Sequence, residues 1–315
     1  MKKILILAIL ISYLTVGCGS KANFVEEKYN LEVNGGTIYG TLVMPKGDGP
    51  YPVALIHQGS GPTDRDGNST IAGDNNSLKM LAEALGDAGI ASIRYDKRGI
   101  GESMDLVKSE SDLVFEDYID DVILWLDKIK GDNRFNKVFI IGHSEGALIG
   151  AEAAAKVNID GYISIAGMGY SVYDTLIRQL QNQPKEIYDK AVPILDELKK
   201  GNEVPNPPQE LYSLFRPSVQ PYMISWFKYD PAEVISKVAA PVLIIQGDND
   251  IQVTIEDAKA LNEASGGELV IIKGMNHILK DAPNDMEGNL KSYSDPKLPL
   301  NEEFKNRVID FIKDN

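Results

Sequence analysis

Short apolar runs alternate with amphipathic stretches along most of this chain. Val53 to His57, Ile90 to Tyr95, Val138 to Ile141, Gly161 to Ala166, Pro241 to Gln246 and Glu268 to Ile272 have the length and composition of buried strands. Between them lie stretches with helical spacing. Ser77 to Ala88 puts Leu78, Leu81 and Leu85 on one face, and Leu113 to Lys130 has an acidic outer face. Ala147 to Lys156 is rich in alanine, Glu256 to Ala264 reads as a helix, and Asn301 to Lys313 is a closing helix capped by Asn301. Asn30 to Val33 and Thr37 to Met44 are β-like around Gly35-Gly36, which predicts a hairpin. Strands alternating with helices imply an α/β fold: a mostly parallel sheet covered on both faces, with ligands at the carboxyl ends of its strands.

The alternation stops between Gly167 and Lys237. Tyr173 to Leu180 and Lys185 to Lys200 have helical spacing, Val204 to Pro208 is a stiff link, and Tyr212, Phe215, Tyr222, Trp226 and Phe227 crowd the segment that follows. The expectation is a helical cap over residues 167–237, inserted into a core formed by 19–166 and 238–315. The aromatics are expected to pack the cap onto the core, with one or two lining a pocket. Asp281 to Leu300 reads as a long irregular surface segment.

Candidate chemistry centres on Gly142-His143-Ser144-Glu145-Gly146, set between an apolar run and an alanine-rich helix. A serine on so sharp a strand-to-helix turn has its hydroxyl pushed out above the sheet edge. A side chain at position 142 or 146 would collide across the turn. The helix beginning at Glu145 aims its positive end at Ser144, where an oxyanion would form.

Serine needs a base, and the chain has three histidines. His143 adjoins Ser144, but its side chain points away along the turn, so it is assigned to buried packing. His57 ends a strand beside a glycine-rich loop and is assigned to loop support. His277, in a loop after the last strand, is left as the base. Its orienting carboxylate is Asp248 or Asp250, both following the strand that ends at Gln246. Asp250 is preferred because two more residues let the loop turn back toward His277; Asp248 would then shape the turn by bonding its own backbone. The oxyanion donors are expected to be the Glu145 amide and an amide of the Gly59-Ser60-Gly61 loop, Ser60 ahead of Gly59.

The segments Gly59-Ser60-Gly61-Pro62-Thr63-Asp64-Arg65-Asp66-Gly67-Asn68, Tyr95-Asp96-Lys97-Arg98-Gly99-Ile100-Gly101 and Gly142 to Gly146 together resemble bacterial α/β-hydrolases of the EstD-like carboxylesterase group, near the serine aminopeptidase-like and dienelactone hydrolase-like branches. The order Ser144, Asp250, His277 is that of α/β-hydrolases. The resemblance runs from about Leu31 onward and is weakest in the cap. It implies the α/β-hydrolase fold, the acid at Asp250, and hydrolysis of short acyl esters without a metal or cofactor. It also implies that Asp96 and Arg98 tie loops together. Gln58-Gly59 stands where many members read His-Gly, which leaves the oxyanion residue open between Gly59 and Ser60.

The amino terminus changes the picture of where this chemistry would happen. Lys2 and Lys3 precede an apolar run, Ile4 to Val16, which ends at the chain's single cysteine, Cys18. The run is too short to span a bilayer comfortably and resembles a bacterial lipoprotein signal over residues 1–18. Lipidation at Cys18 and export are therefore expected, with the lipid as the only membrane contact; an uncleaved anchor and a plain secretory peptide are the alternatives. A formal net charge of −14 argues against nucleic acid, whose phosphates would be repelled. The partner expected instead is a small ester. Peptidase, amidase and acyltransferase activities fit the same residues, and a non-catalytic binding lipoprotein is the rival from outside enzymology.

Overall fold

The computed structural model describes residues 22–315, so Cys18 and the expected signal lie outside the described residues. The strands are β1 (Phe24–Lys28), β2 (Leu31–Val33), β3 (Gly36–Ile38), β4 (Gly40–Pro45), β5 (Tyr51–His57), β6 (Ala91–Tyr95), β7 (Phe135–His143), β8 (Gly161–Ile165), β9 (Val242–Gly247) and β10 (Glu268–Ile272). The helices are α1 (Ser77–Asp87), α2 (Phe115–Lys130), α3 (Glu145–Lys156), α4 (Val172–Leu180), α5 (Lys185–Lys199), α6 (Tyr212–Phe215), α7 (Gln220–Trp226), α8 (Pro231–Ile235), α9 (Ile255–Ser265), α10 (Met286–Ser292) and α11 (Glu302–Asp314).

Eight strands form one sheet in the order β1-β4-β6-β5-β7-β8-β9-β10. β1 and β4 run antiparallel to their neighbours, and the six strands from β6 to β10 are mutually parallel. Alternate residues feed opposite faces, as the two-residue period of a strand demands. Val53, Leu55 and Ile140 meet α2 and α3 on one face. Ala54, Ile56, Phe139 and Ile141 meet α1 and α11 on the other. A sheet buried on both sides explains why its strands read as continuous apolar runs.

After β5 the chain crosses to β6 on one side, then returns to β7 on the other. The carboxyl ends of β5 and β7 therefore flank the point where strand order reverses, where such sheets leave a crevice. His57 ends one strand and His143 the other, with Gly142 opposite His57 in the register.

Three readings of the pattern need correction. The hairpin at Gly35-Gly36 forms, but as a separate two-stranded sheet, and the second run breaks after Ile38 so that β4 can join the main sheet. The edge strand β1 was not anticipated: Phe24-Val25-Glu26-Glu27-Lys28 is mostly exposed and shows no apolar alternation. The segment 281–300 is not wholly irregular, because α10 forms within it, capped by Asp285. The cap at α11 forms as expected, with Asn301 accepting from the Phe304 amide at 2.9 Å.

Between β8 and β9 the chain builds a second apolar cluster of its own, in which Leu180, Ala191, Leu195, Leu198, Phe215 and Met223 are buried together. Phe115 of α2 stacks on Trp226 at 5.6 Å and meets Tyr222 edge-on at 5.9 Å, tying α7 to the core. Phe215 and Phe227 pack within the inserted cluster, whereas Tyr212 is exposed.

Candidate active site

Ser144 sits between β7 and α3 with φ 57° and ψ −121°, a backbone shape that L-residues rarely adopt. The surroundings enforce it. A Cβ on Gly142 would lie 2.3 Å from the Gly146 carbonyl oxygen, and one on Gly146 would lie 2.5 Å from the carbonyl oxygens of both His57 and Gln58. The second clash is with the neighbouring strand end, not with the turn itself, so Gly146 lets β5 and the serine turn approach one another. A Cβ on Gly59 would come within 3.1 Å of the Ser144 Cβ, which puts the glycine loop against the serine.

His277 is almost fully buried, and its Nδ1 lies 2.8 Å from Asp250 Oδ2. The Asp250 Oδ1 accepts from the amides of Gln252 and Val253. Burial pushes the Asp250 carboxyl toward protonation, but the His277 ring and these amides outweigh it and hold the group below the usual carboxylate range. Gln246 Nε2 donates to the same Oδ2 at 3.1 Å and to the Val253 carbonyl at 3.0 Å. Its place at the end of a strand gave no hint of this orienting role.

Asp248 does not shape its own turn. It is exposed and accepts from the Gly274 amide at 2.6 Å, fastening the loop that carries His277. The bonds to its own turn belong to Asp250.

Ser144 and His277 line one cavity of about 220 Å³, together with Gly59, Ser60, Gln252 and Tyr293. Ser144 Oγ makes no direct hydrogen bond to His277. A second cavity of about 340 Å³ opens on the other side of Ser144, lined by Met168, Leu176, Leu214, Tyr222, Met223 and Trp226. The serine therefore stands between a smaller space beside His277 and a larger one lined mainly by residues from the helices between β8 and β9.

The other histidines are placed by their own contacts. His57 is fully buried, and its Nδ1 lies 2.5 Å from the Tyr95 hydroxyl. His143 is buried with Nε2 2.8 Å from the His277 carbonyl oxygen. Burial, with the nearby His277 ring adding to it, lowers the pKa of His143 to about 3 and keeps it neutral.

Gln58 donates to the Tyr95 carbonyl at 2.9 Å. The rest of the loop is bonded to itself and its neighbours. Asp64 accepts from the amides of Asp66 and Asn68, and Asn68 from those of Asn75 and Asn76. Asp96 accepts from the Arg65 amide and guanidinium and from the Glu102 amide. Arg98 forks onto Asp121. These bonds stiffen the loop and leave the amides of Ser60 and Glu145 with no protein acceptor among the described residues.

The Glu145 side chain and Lys97 form a contact no spacing could reveal. Both are buried, 3.5 Å apart, and Tyr222 donates to Glu145 at 2.8 Å.

Residues 73–220 match the family model described as serine aminopeptidase, S33. The chain is 31% identical over 258 residues to esterase EstD of Thermotoga maritima, covering 80% of this chain and 60% of that protein. It thus spans less than two thirds of the length of that relative. Among solved structures, Est1E from Butyrivibrio proteoclasticus superposes with a TM-score of 0.58 at 18% identity, over 91% of this chain and 98% of that one. The Pyrococcus furiosus esterase Pf2001 does so at 0.59 and 16% identity, over 92% and 91%. With the strand order, the serine turn at the carboxyl edge and these likenesses agreeing, the chain has the α/β-hydrolase fold.

Proposed function

We propose that this chain is a serine carboxylesterase that cleaves carboxylic esters with short acyl groups through Ser144, His277 and Asp250. The observation that carries the reading is the 2.8 Å contact between His277 Nδ1 and the buried Asp250 carboxylate, in a cavity shared with a serine held at φ 57°. With Nδ1 engaged, Nε2 is the nitrogen that takes the Ser144 proton as Oγ attacks the ester carbonyl. The amides of Ser60 and Glu145 donate to the oxyanion. Collapse breaks the ester C–O bond, and His277 returns the proton to the departing alcohol. Water, deprotonated by His277, then attacks the acyl–Ser144 ester and releases the acid.

The charges around the cavities favour an ester over a peptide. A free amino terminus needs an unpaired carboxylate. Glu145 already faces Lys97 and Tyr222, and Glu110 is held by Arg216 and Ser218. In the cap, Asp174, Glu186, Asp189 and Glu197 are bonded to Ser171, Lys190, Lys185 and Lys200. The name of the matching family model keeps amide cleavage as the second reading. Acyl transfer to an alcohol would use the same intermediate, and a non-catalytic binder would have no need of the His277–Asp250 contact.

We further propose that the chain is exported and lipid-anchored at Cys18, and meets its small ester outside the cytoplasm. Metabolic labelling with a palmitate analogue, lost in Cys18→Ser, is the expected result; unlabelled wild type would overturn the anchor. For the activity, purified protein is offered p-nitrophenyl esters of two to twelve acyl carbons beside aminoacyl anilides. Ester turnover abolished in Ser144→Ala is expected, and hydrolysis of the anilides alone would reverse the ranking.

A further inference from the structure

We propose that Lys97 is a positioning residue for the oxyanion pocket. Its ammonium holds the Gly59–Ser60 peptide, and the Glu145 carboxylate holds the ammonium. The role rests on the serine hydrolase reading above.

Lys97 follows β6, and its side chain is 1% exposed. Nζ donates to the Gly59 carbonyl at 2.7 Å, lies 3.5 Å from Glu145 Oε2 and stands 5.0 Å over the Tyr118 ring. An apolar pair of the same shape would fill this space without the penalty of removing two charges from water. Packing alone therefore does not account for a lysine here.

Peptide planarity supplies the missing purpose. The Gly59 carbonyl and the Ser60 N–H belong to one trans peptide unit, so they point in opposite directions and turn together. Fixing the carbonyl on Lys97 fixes the direction of the Ser60 N–H. A glycine has no side chain to lock its own torsions, and this one approaches Ser144 so closely that a Cβ would lie 3.1 Å from the serine Cβ. The torsional hold has to come from outside the loop, and Lys97 provides it.

Glu145 closes the arrangement. Its amide is the second oxyanion donor in the proposed mechanism, and its side chain anchors the lysine that orients the first. Tyr222 of α7 donates to that carboxylate at 2.8 Å, so the insertion, the serine turn and the glycine loop meet on one buried ion pair.

The test compares wild type with Lys97→Met and with Lys97→Met/Glu145→Gln. The double variant leaves no unpaired charge inside and is expected to fold. Its kcat on a p-nitrophenyl ester should fall about 10- to 100-fold with KM changed by less than about 3-fold. Inhibition by a trifluoromethyl ketone, whose adduct carries the oxyanion, should weaken by the same factor. If the methionine variants do not fold, Lys97→Gln/Glu145→Gln, two amides able to bond one another, carries the same comparison. Wild-type kcat in the folded double variant would overturn the role. So would a loss confined to KM with undiminished ketone binding, because Lys97 would then only shape the pocket. Wild type inert to both esters and a fluorophosphonate would instead overturn the hydrolase reading beneath it.

Discussion

His143 donates from Nε2 to the backbone carbonyl of His277, 2.8 Å away, and the two rings lie 4.9 Å apart. A carbonyl can only accept, so a proton sits on Nε2 of His143, and burial keeps the ring neutral. The residue beside Ser144 thus supports the loop that carries His277. Native His143 has a pKa near 3 because of burial, whereas the unfolded chain titrates it near its ordinary value of about 6.5. Between those values the unfolded chain binds one more proton, so stability falls as pH falls through that window, by about 3–5 kcal/mol in all. Urea unfolding at several pH values should show this slope, and His143→Asn should flatten it. An unchanged slope would show that another group dominates acid unfolding.

The two aspartates after β9 should separate cleanly in kinetics. Asp250→Asn keeps an oxygen for the Gln252 and Val253 amides but loses the charge that stabilises the His277 imidazolium. We expect kcat to fall about 10³- to 10⁴-fold with little change in melting temperature. Asp248→Asn should leave kcat within about 3-fold, since an amide oxygen still accepts from Gly274. Equal losses in both would remove the distinction drawn from the contacts.

Trp226 lines the 340 Å³ cavity and stacks on Phe115. Trp226→Ala should enlarge this cavity and move the kcat/KM optimum toward longer or bulkier acyl groups, by about 10-fold in relative preference. It should also cost about 3 kcal/mol through lost packing. An acyl-length profile identical to wild type would mean that the acyl group lies in the smaller cavity beside His277 instead.

Much of the architecture could be read because its sheet is buried on both faces, so the strands announce themselves as apolar runs. β1 could not, for the opposite reason: it is an exposed edge, and Phe24 alone of its residues is even half-buried. Local chemistry singles out Ser144 and His277 as candidates, since glycines stand on both sides of the serine turn and the histidines are few. The choice between Asp248 and Asp250 was only partly legible. The preference for Asp250 came from loop reach, yet the roles of the two in the turn depend on contacts with Gly274, Gln252 and Val253. The contact among Lys97, Glu145 and Tyr222 left no trace in the pattern. The three residues come from three separate elements and meet only after the sheet, the serine turn and the insertion have assembled.

Arg98 and Asp121 carry a further expectation. Asp121 is 1% exposed and bonded twice by the guanidinium. Burial, its largest influence, pushes the carboxyl toward protonation, and Arg98 opposes that shift. Asp121→Asn should leave a cation without its partner and destabilise the fold by about 3 kcal/mol. Arg98→Met/Asp121→Leu should recover most of the loss, read as the midpoint of urea unfolding. Failure of the double variant to recover would mean that the pair shapes the 98–102 turn as well as satisfying its own charges.

The backbone at Ser144 has one last implication. Its torsions disfavour every residue with a Cβ, and glycine alone would relax there. Removing the hydroxyl with alanine keeps that tension, whereas Ser144→Gly releases it. A descendant of this gene that drifted to glycine at that one codon would be the sturdier protein, so thermal robustness across such a lineage would track loss of the hydroxyl rather than its retention.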